Sequence, residues 1–375
     1  MSKNTVEIPY TEIVERVMSL GRVNANAIEK VRGIVQDIYT RDIPTKHDWT
    51  FLLAASSIIT VQEYKTGNAS VNTGNTLVNF STNAVMIDSM NGRKIKFSGN
   101  EVVYEITSFY SANSLQISPS FQGANNLSNV SYSVFQPIYA LASDFDRFPK
   151  DGGLYKWSGG QKTILKEEPY QEYVENFSGN PSTPDTIRII GLDTAGNPLI
   201  EMRPPPKDAR VYSYDYYARL NPLKETSAGH ISVINARATT VTGYITTRFV
   251  DAGTDSRTTN FIRIDVFGKG HDSGWYPVIN ILHDSSLTLR TSFANSAVTT
   301  SANYVISNIP RIPSMLHPAI LYGSLAHVLA DQNDEMAPVY FVRYAQVLSD
   351  SKRIFVSRTY SQDIHGIQED WDYRR

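Results

Sequence analysis

Seven histidines offer the first candidate chemistry, at positions 47, 230, 271, 283, 317, 327 and 365. A catalytic zinc pair on a helix needs two imidazoles one turn apart, and no two of these stand three or four residues apart. His271-Asp272 and His283-Asp284 pair an imidazole with a carboxylate, but each falls at an expected turn between strands, and a turn role outweighs a metal role. Ser158-Gly159-Gly160-Gln161-Lys162-Thr163 has the texture of a phosphate loop. It lacks both the first glycine and a glycine directly before Lys162, so its amides have no reason to form an anion nest. Gly323-Ser324-Leu325 lacks the second glycine of a nucleophile elbow and sits in a helical pattern. Asp144 and Asp146 could act as paired carboxylates on one side of an extended strand, yet nothing near them reads as a sugar cleft. Trp275, Tyr276 and Tyr304 could stack on sugar rings, whereas the matched positions of both tyrosines in a repeat favour the core. With no cysteine in 375 residues, thiolate sites and disulfides are excluded. The expectation is a non-enzymatic chain with no cofactor and no metal.

The elements that would carry these residues change character along the chain. Near the N-terminus, Thr11 can cap a helix whose apolar stripe is Ile13, Val14, Val17, Met18 and Leu20. A second helix is expected from about 25 to 39, with Ile28, Val31, Val35 and Ile38 on one face, ended by Pro44. Trp49, Phe51, Leu52 and Leu53 follow as an apolar plug. From about 58 to 138, short alternating runs such as Lys94-Ile95-Lys96-Phe97 and Tyr132-Ser133-Val134-Phe135, separated by Gly and Asn turns, predict a small all-β module. Residues 138–166 read as irregular connections with short strands. Strands are expected at 186–191 and 198–203, the second broken by Pro204-Pro205-Pro206. Val211, Tyr212, Tyr214, Tyr216 and Tyr217 then form a strand with an aromatic face.

Between 229 and 310 the chain repeats itself. At a constant offset of 172 residues, Tyr104, Ser114, Leu115, Phe121 and Tyr132 fall on Tyr276, Ser286, Leu287, Phe293 and Tyr304. Two copies of one small β-module are expected. Pro318 and Pro338 suit the first turns of two closing helices. The tail 357–375 is polar but offers Ile364, Ile367, Trp371 and Tyr373 as anchors for a partner. The class is therefore α+β: a discontinuous helical core with a β-hairpin (1–57, 139–228 and 311–356), β-modules inserted at 58–138 and 229–310, and a docking tail. A net charge of −2 gives no basic surface for gripping duplex DNA. The N-terminus has no apolar signal core and no stretch reaches membrane-span length, so a soluble chain made in the cytoplasm, with no membrane partner, is expected.

The order of these parts resembles the head-to-tail adaptor (connector, or head-completion ring) family of tailed phages. Trp49-Thr50-Phe51-Leu52-Leu53 is similar to the plug that ends that family's N-terminal helices. Ile200-Glu201-Met202-Arg203-Pro204-Pro205-Pro206 through Val211-Tyr212-Ser213-Tyr214-Asp215-Tyr216-Tyr217 resembles its proline-turn-tyrosine hairpin. Pro313, His317, Ala319, Tyr322, Leu325 and Ala326, with the helix around Tyr340 and Tyr344, resemble its closing helices. Ser89-Met90-Asn91-Gly92-Arg93-Lys94-Ile95, Ile106 and Ser114-Leu115-Gln116-Ile117 are similar to inserts of connector-region proteins. The resemblance implies a virion structural protein at the head–tail junction, assembled in the host bacterium's cytoplasm. Its implied partners are the portal protein, tail or neighbouring neck-ring proteins, and itself in a ring, a dodecamer by family likeness. Packaged DNA would pass through without specific binding. A tail-side ring or tail-tube component, and a carbohydrate-binding virion adhesin, are the alternative expectations.

Overall fold

A computed structural model describes residues 7–356, apart from 151, 159, 168–179, 234–237, 245, 254–259, 266–273 and 294–297. The chain divides into two compact units, Leu53–Arg219 and the pair Met1–Leu52 with Leu220–Arg375.

In the unit Leu53–Arg219, β1 (Leu53–Ile59) opens an eight-stranded sheet and leads into a barrel. The barrel strands are β2 (Ala69–Val71), β3 (Leu77–Phe80), β4 (Lys94–Phe97), β5 (Val103–Ser111), β6 (Ser114–Ser118), β7 (Leu127–Val130) and β8 (Tyr132–Phe135). Their order is β7-β2-β3-β6-β5-β4-β8. Only Ser131 separates β7 from β8, so one run of chain pairs with β2 at one end and β4 at the other and closes the sheet. Alternation places Val78, Ile95, Tyr104, Ile106, Leu115, Ile117 and Val134 inside. A closed barrel leaves no strand edge to aggregate.

The rest of that unit is the eight-stranded sheet. It adds β9 (Ile138–Ala140), β10 (Phe145–Arg147), β11 (Leu154–Ser158), β12 (Gln161–Glu167), β13 (Thr186–Leu192), β14 (Pro198–Arg203) and β15 (Val211–Ala218). The order is β1-β15-β11-β12-β13-β14-β9, with β10 also on β15. The stretch 138–166, expected to hold irregular connections with short strands, supplies four strands. Tyr212, Tyr214 and Tyr216 are buried at period two, as expected of an aromatic face. The expected hairpin between 200 and 217 does not form. β14 pairs with β13 and β9, while β15, separated from it by three strands, pairs along its length with β1, from Leu53↔Tyr217 to Ile59↔Val211. Pro204, Pro205 and Pro206 have no N–H to donate to a returning strand. The chain beyond them is held elsewhere, the N–H of Lys207 on Ser182 O and the N–H of Thr60 on Arg210 O.

The second unit joins helices from both chain ends to another barrel. Its helices are α1 (Tyr10–Leu20), α2 (Ile28–Asp37), α3 (Ile43–Lys46), α4 (His317–Asp331) and α5 (Ala337–Phe355). Of the expected stripes, Ile13, Val14, Val17, Val31, Val35 and Ile38 are buried, with Ile320 and Leu325 of α4 among the fully buried residues, whereas Leu20, at the end of α1, is exposed. Two further details differ from expectation. Thr11 does not cap α1; it lies in the first turn, where its N–H donates to Ser307 Oγ and its hydroxyl to Glu225. Pro44 does not end the second helical stretch, because a π-turn over Ile38–Asp42 hands the chain to α3 with Pro44 in its first turn, where no N–H is needed. The closing helices begin as Pro318 and Pro338 predict.

The second barrel has β17 (Ile231–Val233), β18 (Thr240–Gly243), β19 (Asn260–Asp265), β20 (Tyr276–His283), β21 (Ser286–Leu289) and β22 (Val298–Asn308), with β16 (Glu225–Thr226) beside β22. Its order is β22-β17-β18-β21-β20-β19, and β22 returns to pair with β19. β22 does in one strand what β7 and β8 do in two, so both barrels share one Greek-key order. The α+β class holds in its coarse form. The helical core does not: among the described residues more lie in strands than in helices, and 139–228 contributes mainly strands to the eight-stranded sheet that β1 opens. The reason is packing, since β14 and β15 bury their apolar faces in one cluster with other strands and loops of that unit and need no helix to cover them.

His317 carries a pH prediction. It is fully buried, accepting the Ile8 N–H at Nδ1 (3.2 Å), with Nε2 3.1 Å from Ile312 O. Burial lowers its pKa below 6.5. Below that pH the unfolded chain takes up a proton that the folded histidine refuses, so stability falls as pH drops and is unaffected above it. His47, also lowered by burial, adds to the same sign. Urea midpoints measured from neutral to mildly acidic pH should decline, and less steeply in His317→Gln.

Candidate docking surfaces

The residues singled out for chemistry have structural partners. Tyr216 donates its hydroxyl to Asp144 Oδ1 (2.7 Å), while Asp146 pairs with Arg147 at the surface (2.9 Å). Lys162 belongs to the β11–β12 hairpin and lies over the Tyr155 ring, 3.7 Å from its centroid. Ser324 is the exception: it is buried within α4 and its hydroxyl has no hydrogen-bond partner. Asp284 sits in the β20–β21 turn and accepts the Val250 N–H (3.1 Å), and His283 Nδ1 lies 3.0 Å from the Ser285 hydroxyl. Tyr276 and Tyr304 are core residues, and Tyr304 donates to Ala228 O. Arg263 lies over Trp275 at 5.1 Å and holds Glu15 through two bonds of 2.8 and 2.7 Å, so one indole face is covered. Among the described residues no group of three or more potential ligands could hold a metal. No helix among them is long and apolar enough to cross a membrane. His271-Asp272 and the tail anchors Ile364, Ile367, Trp371 and Tyr373 lie outside the described residues.

The helices expose apolar side chains. Tyr344 and Leu348 of α5 face inward, leaving Met336, Val339, Val342 and Ile354 exposed, with Val342 66% accessible. Spacing of three residues from Met336 to Val342 aligns the first three along one side of the helix. Beside this face is a groove of about 650 Å³ lined by Lys46, His47, His327, Phe341, Leu348 and Lys352. Its walls are fixed from below: Tyr344 donates to Asp42 Oδ2, Lys46 pairs with Asp42 at 2.9 Å, and His327 stands edge-on to Phe341. Burial and the Asp42 charge together push the Tyr344 hydroxyl far above its usual range, so it stays a donor.

A second cavity, about 730 Å³, has Tyr10, Thr11, Glu15, Arg32, Glu225 and Asp251 in its lining. Arg32 binds both Glu29 and Glu225, Thr11 donates to Glu225, and the Gln36 side chain clamps Leu223 by donating to its O (2.6 Å) and accepting from its N–H (3.0 Å). Burial pushes Tyr10 up to about 12. This network joins α1 and α2 to the strand entering the second barrel. Sequence reasoning missed it, because Arg32 and Glu225 stand 193 residues apart and neither belongs to a local pattern. No family model, curated protein or solved structure matches the chain.

Proposed function

We propose that the chain is a virion structural protein that forms a ring at the portal–tail junction of a tailed phage, joining tail components to the DNA-filled head. The observation that carries this reading is the helical assembly built from both chain ends, with an unpartnered apolar face on α5. Trp49 and Val356 pair as an isolated bridge, Phe51 and Phe355 meet edge to face at 5.6 Å, and Thr50 donates to Phe355 O. Such a closed wedge, apolar on one outer side, suits the repeated heterologous contact that closes a ring. The net charge of −2 suits a wall past which DNA slides, since each added cation would make a salt-sensitive phosphate contact.

In this reading the helices and the Tyr-rich sheet build the ring, the two barrels are insertions, and residues 357–375 dock on the portal or on a tail component. Particles made without the chain should lose packaged DNA or fail to join tails, and normal infectious tailed particles would sink the proposal. A finer test is Val339→Lys with Val342→Lys. Both side chains are exposed, so folding should be unchanged within about 0.5 kcal/mol while assembly is lost. Complementation by plasmid-borne variants, with far-ultraviolet circular dichroism on the purified chain, reads both effects.

A further inference from the structure

The groove beside α5 follows one stripe of that helix. Phe341, Ala345, Leu348 and Lys352 line it at helical spacing, so it runs about 17 Å along the helix axis. The first three make that wall apolar, and Lys352 ends it on a cation. Lys46, His47 and His327 stand in the lining with them. Lys46 is matched by Asp42 at 2.9 Å, whereas Lys352 has no ion pair among the described residues. His47 shares the Lys352 end: burial first, then the Lys352 and Lys46 charges, hold its imidazole below the ordinary value against the opposing pull of Asp48. The groove is thus apolar along its length and short of anions at one end. Its complement is an aromatic side chain flanked by carboxylates.

The described residues end at the same place. Val356 bridges to Trp49, two residues from His47, and its N–H donates to Lys352 O at 3.2 Å. Farther along the sequence, Glu369-Asp370-Trp371-Asp372 is the one run of four residues with three carboxylates, and a tryptophan stands among them. A chain from Val356 to Glu369 can extend to about 40 Å, more than twice the length of the groove, so this run can double back to any part of it. A segment tethered this closely has an effective concentration in the millimolar range. Exposed ion pairs are individually weak, and at that concentration a few of them with one seated aromatic ring hold the segment in place.

We infer that the α5 groove is the docking site of this chain's own acidic segment, 369–372, with Trp371 against Phe341 and Leu348 and the carboxylates at Lys352 and His47. The occupant is the chain's own segment rather than a neighbour's, because its root at Val356 already lies beside the basic end of the groove. Arg374 and Arg375 follow the acidic run and take no part in the contact. The segment belongs to the stretch 357–375 proposed above to dock on the portal or on a tail component. The groove therefore holds it in the free chain and gives it up when that partner arrives, and only this later exchange rests on the ring reading.

No native cysteine competes in the test. Ser349 lines the groove and is exposed. Full-length Ser349→Cys/Tyr373→Cys, mildly oxidised, should close a disulfide within one chain at a rate independent of concentration. Closure should be about tenfold faster, or more, than in Ile279→Cys/Tyr373→Cys, whose first cysteine is exposed on the second barrel. Peptide mass mapping identifies the bond. Adding Lys352→Glu should slow closure about fivefold with unchanged circular dichroism, and Glu369→Lys with Asp370→Lys on that background should restore it. Arg374→Gln with Arg375→Gln should leave the rate unchanged, and slower closure there would overturn the assignment to the acidic run. Equal rates for the two cysteine pairs, or no response to Lys352→Glu, would overturn the inference. So would disulfide dimers that grow with concentration, because the groove would then take a neighbour's segment. All of these are read on the purified chain, whereas normal tailed particles lacking the chain would sink the ring reading alone.

Discussion

Trp49→Ala is expected to destabilise the unit formed by the two chain ends by about 3–5 kcal/mol. Trp49 has no accessible surface and is among the largest fully buried side chains. Its ring stacks on Phe51 at 5.5 Å and meets the edge of His47 at 5.0 Å. Its indole N–H donates to Ile43 O at 2.7 Å, satisfying a carbonyl in the short helix α3. Alanine would leave a cavity and an orphaned carbonyl together, and each is a recognised route to a large loss. The bridge from Trp49 to Val356 would also lose its anchor. Trp49→Phe should recover much of the packing but not the hydrogen bond, and so fall between the two. Helical circular dichroism followed through urea titration measures all three chains. A loss below about 1 kcal/mol for Trp49→Ala would show that this plug does not hold the helices together.

Phe121→Ala should cost the first barrel a similar amount, about 3–5 kcal/mol. Phe121 is buried between Phe97 and Tyr104, with ring centroids at 5.8 and 5.7 Å. Its backbone is fixed on both sides, donating to Asn75 O (2.8 Å) and accepting from Gly74 (2.9 Å). Gly123 is packed so closely that a Cβ there would lie 2.3 Å from the Phe121 ring. Phe293 takes the same place in the second barrel, 5.3 Å from Tyr276, with its N–H on Ala238 O. Hydrogen exchange separates the two cases. Phe121→Ala should lower protection across β2–β8 and leave β19–β22 unchanged, and Phe293→Ala should do the reverse. Loss of protection in both barrels from either variant would mean that they unfold as one cooperative body.

The repeat was legible because it is gapless through the parts where a gap is least tolerated. A one-residue insertion between Tyr104 and Leu115 would shift the β5–β6 register and turn the core set outward. The spacing from Tyr104 to Leu115 is therefore the same as that from Tyr276 to Leu287. The bulges at Tyr110 and Leu282, where the β5–β6 and β20–β21 registers step, were hidden, because an extra residue shows only against its partner strand. The Tyr212, Tyr214, Tyr216 alternation announced a half-buried strand but not its neighbour. Backbone hydrogen bonds decide pairing, and they carry no residue code, so nothing in the alternation says that β15 pairs with β1 and not with β14. Thr11 looked like a cap by position, yet its hydroxyl serves Glu225 and its N–H Ser307, partners 214 and 296 residues further along the chain.

The amino-acid order alone determined what this protein is made from: apolar stripes at helical spacing, alternating runs, proline stops, a duplicated module, and histidines too far apart to make a helical metal pair. These are local or translational properties, set by residue type and by distances along one chain. Only the tertiary structure decided which strands meet, that both modules close into barrels, that Arg32 serves Glu225, and that Tyr110 and Leu282 face solvent at equivalent bulges. Each of these depends on groups far apart in sequence competing for the same partners, and that competition is resolved by the whole fold at once.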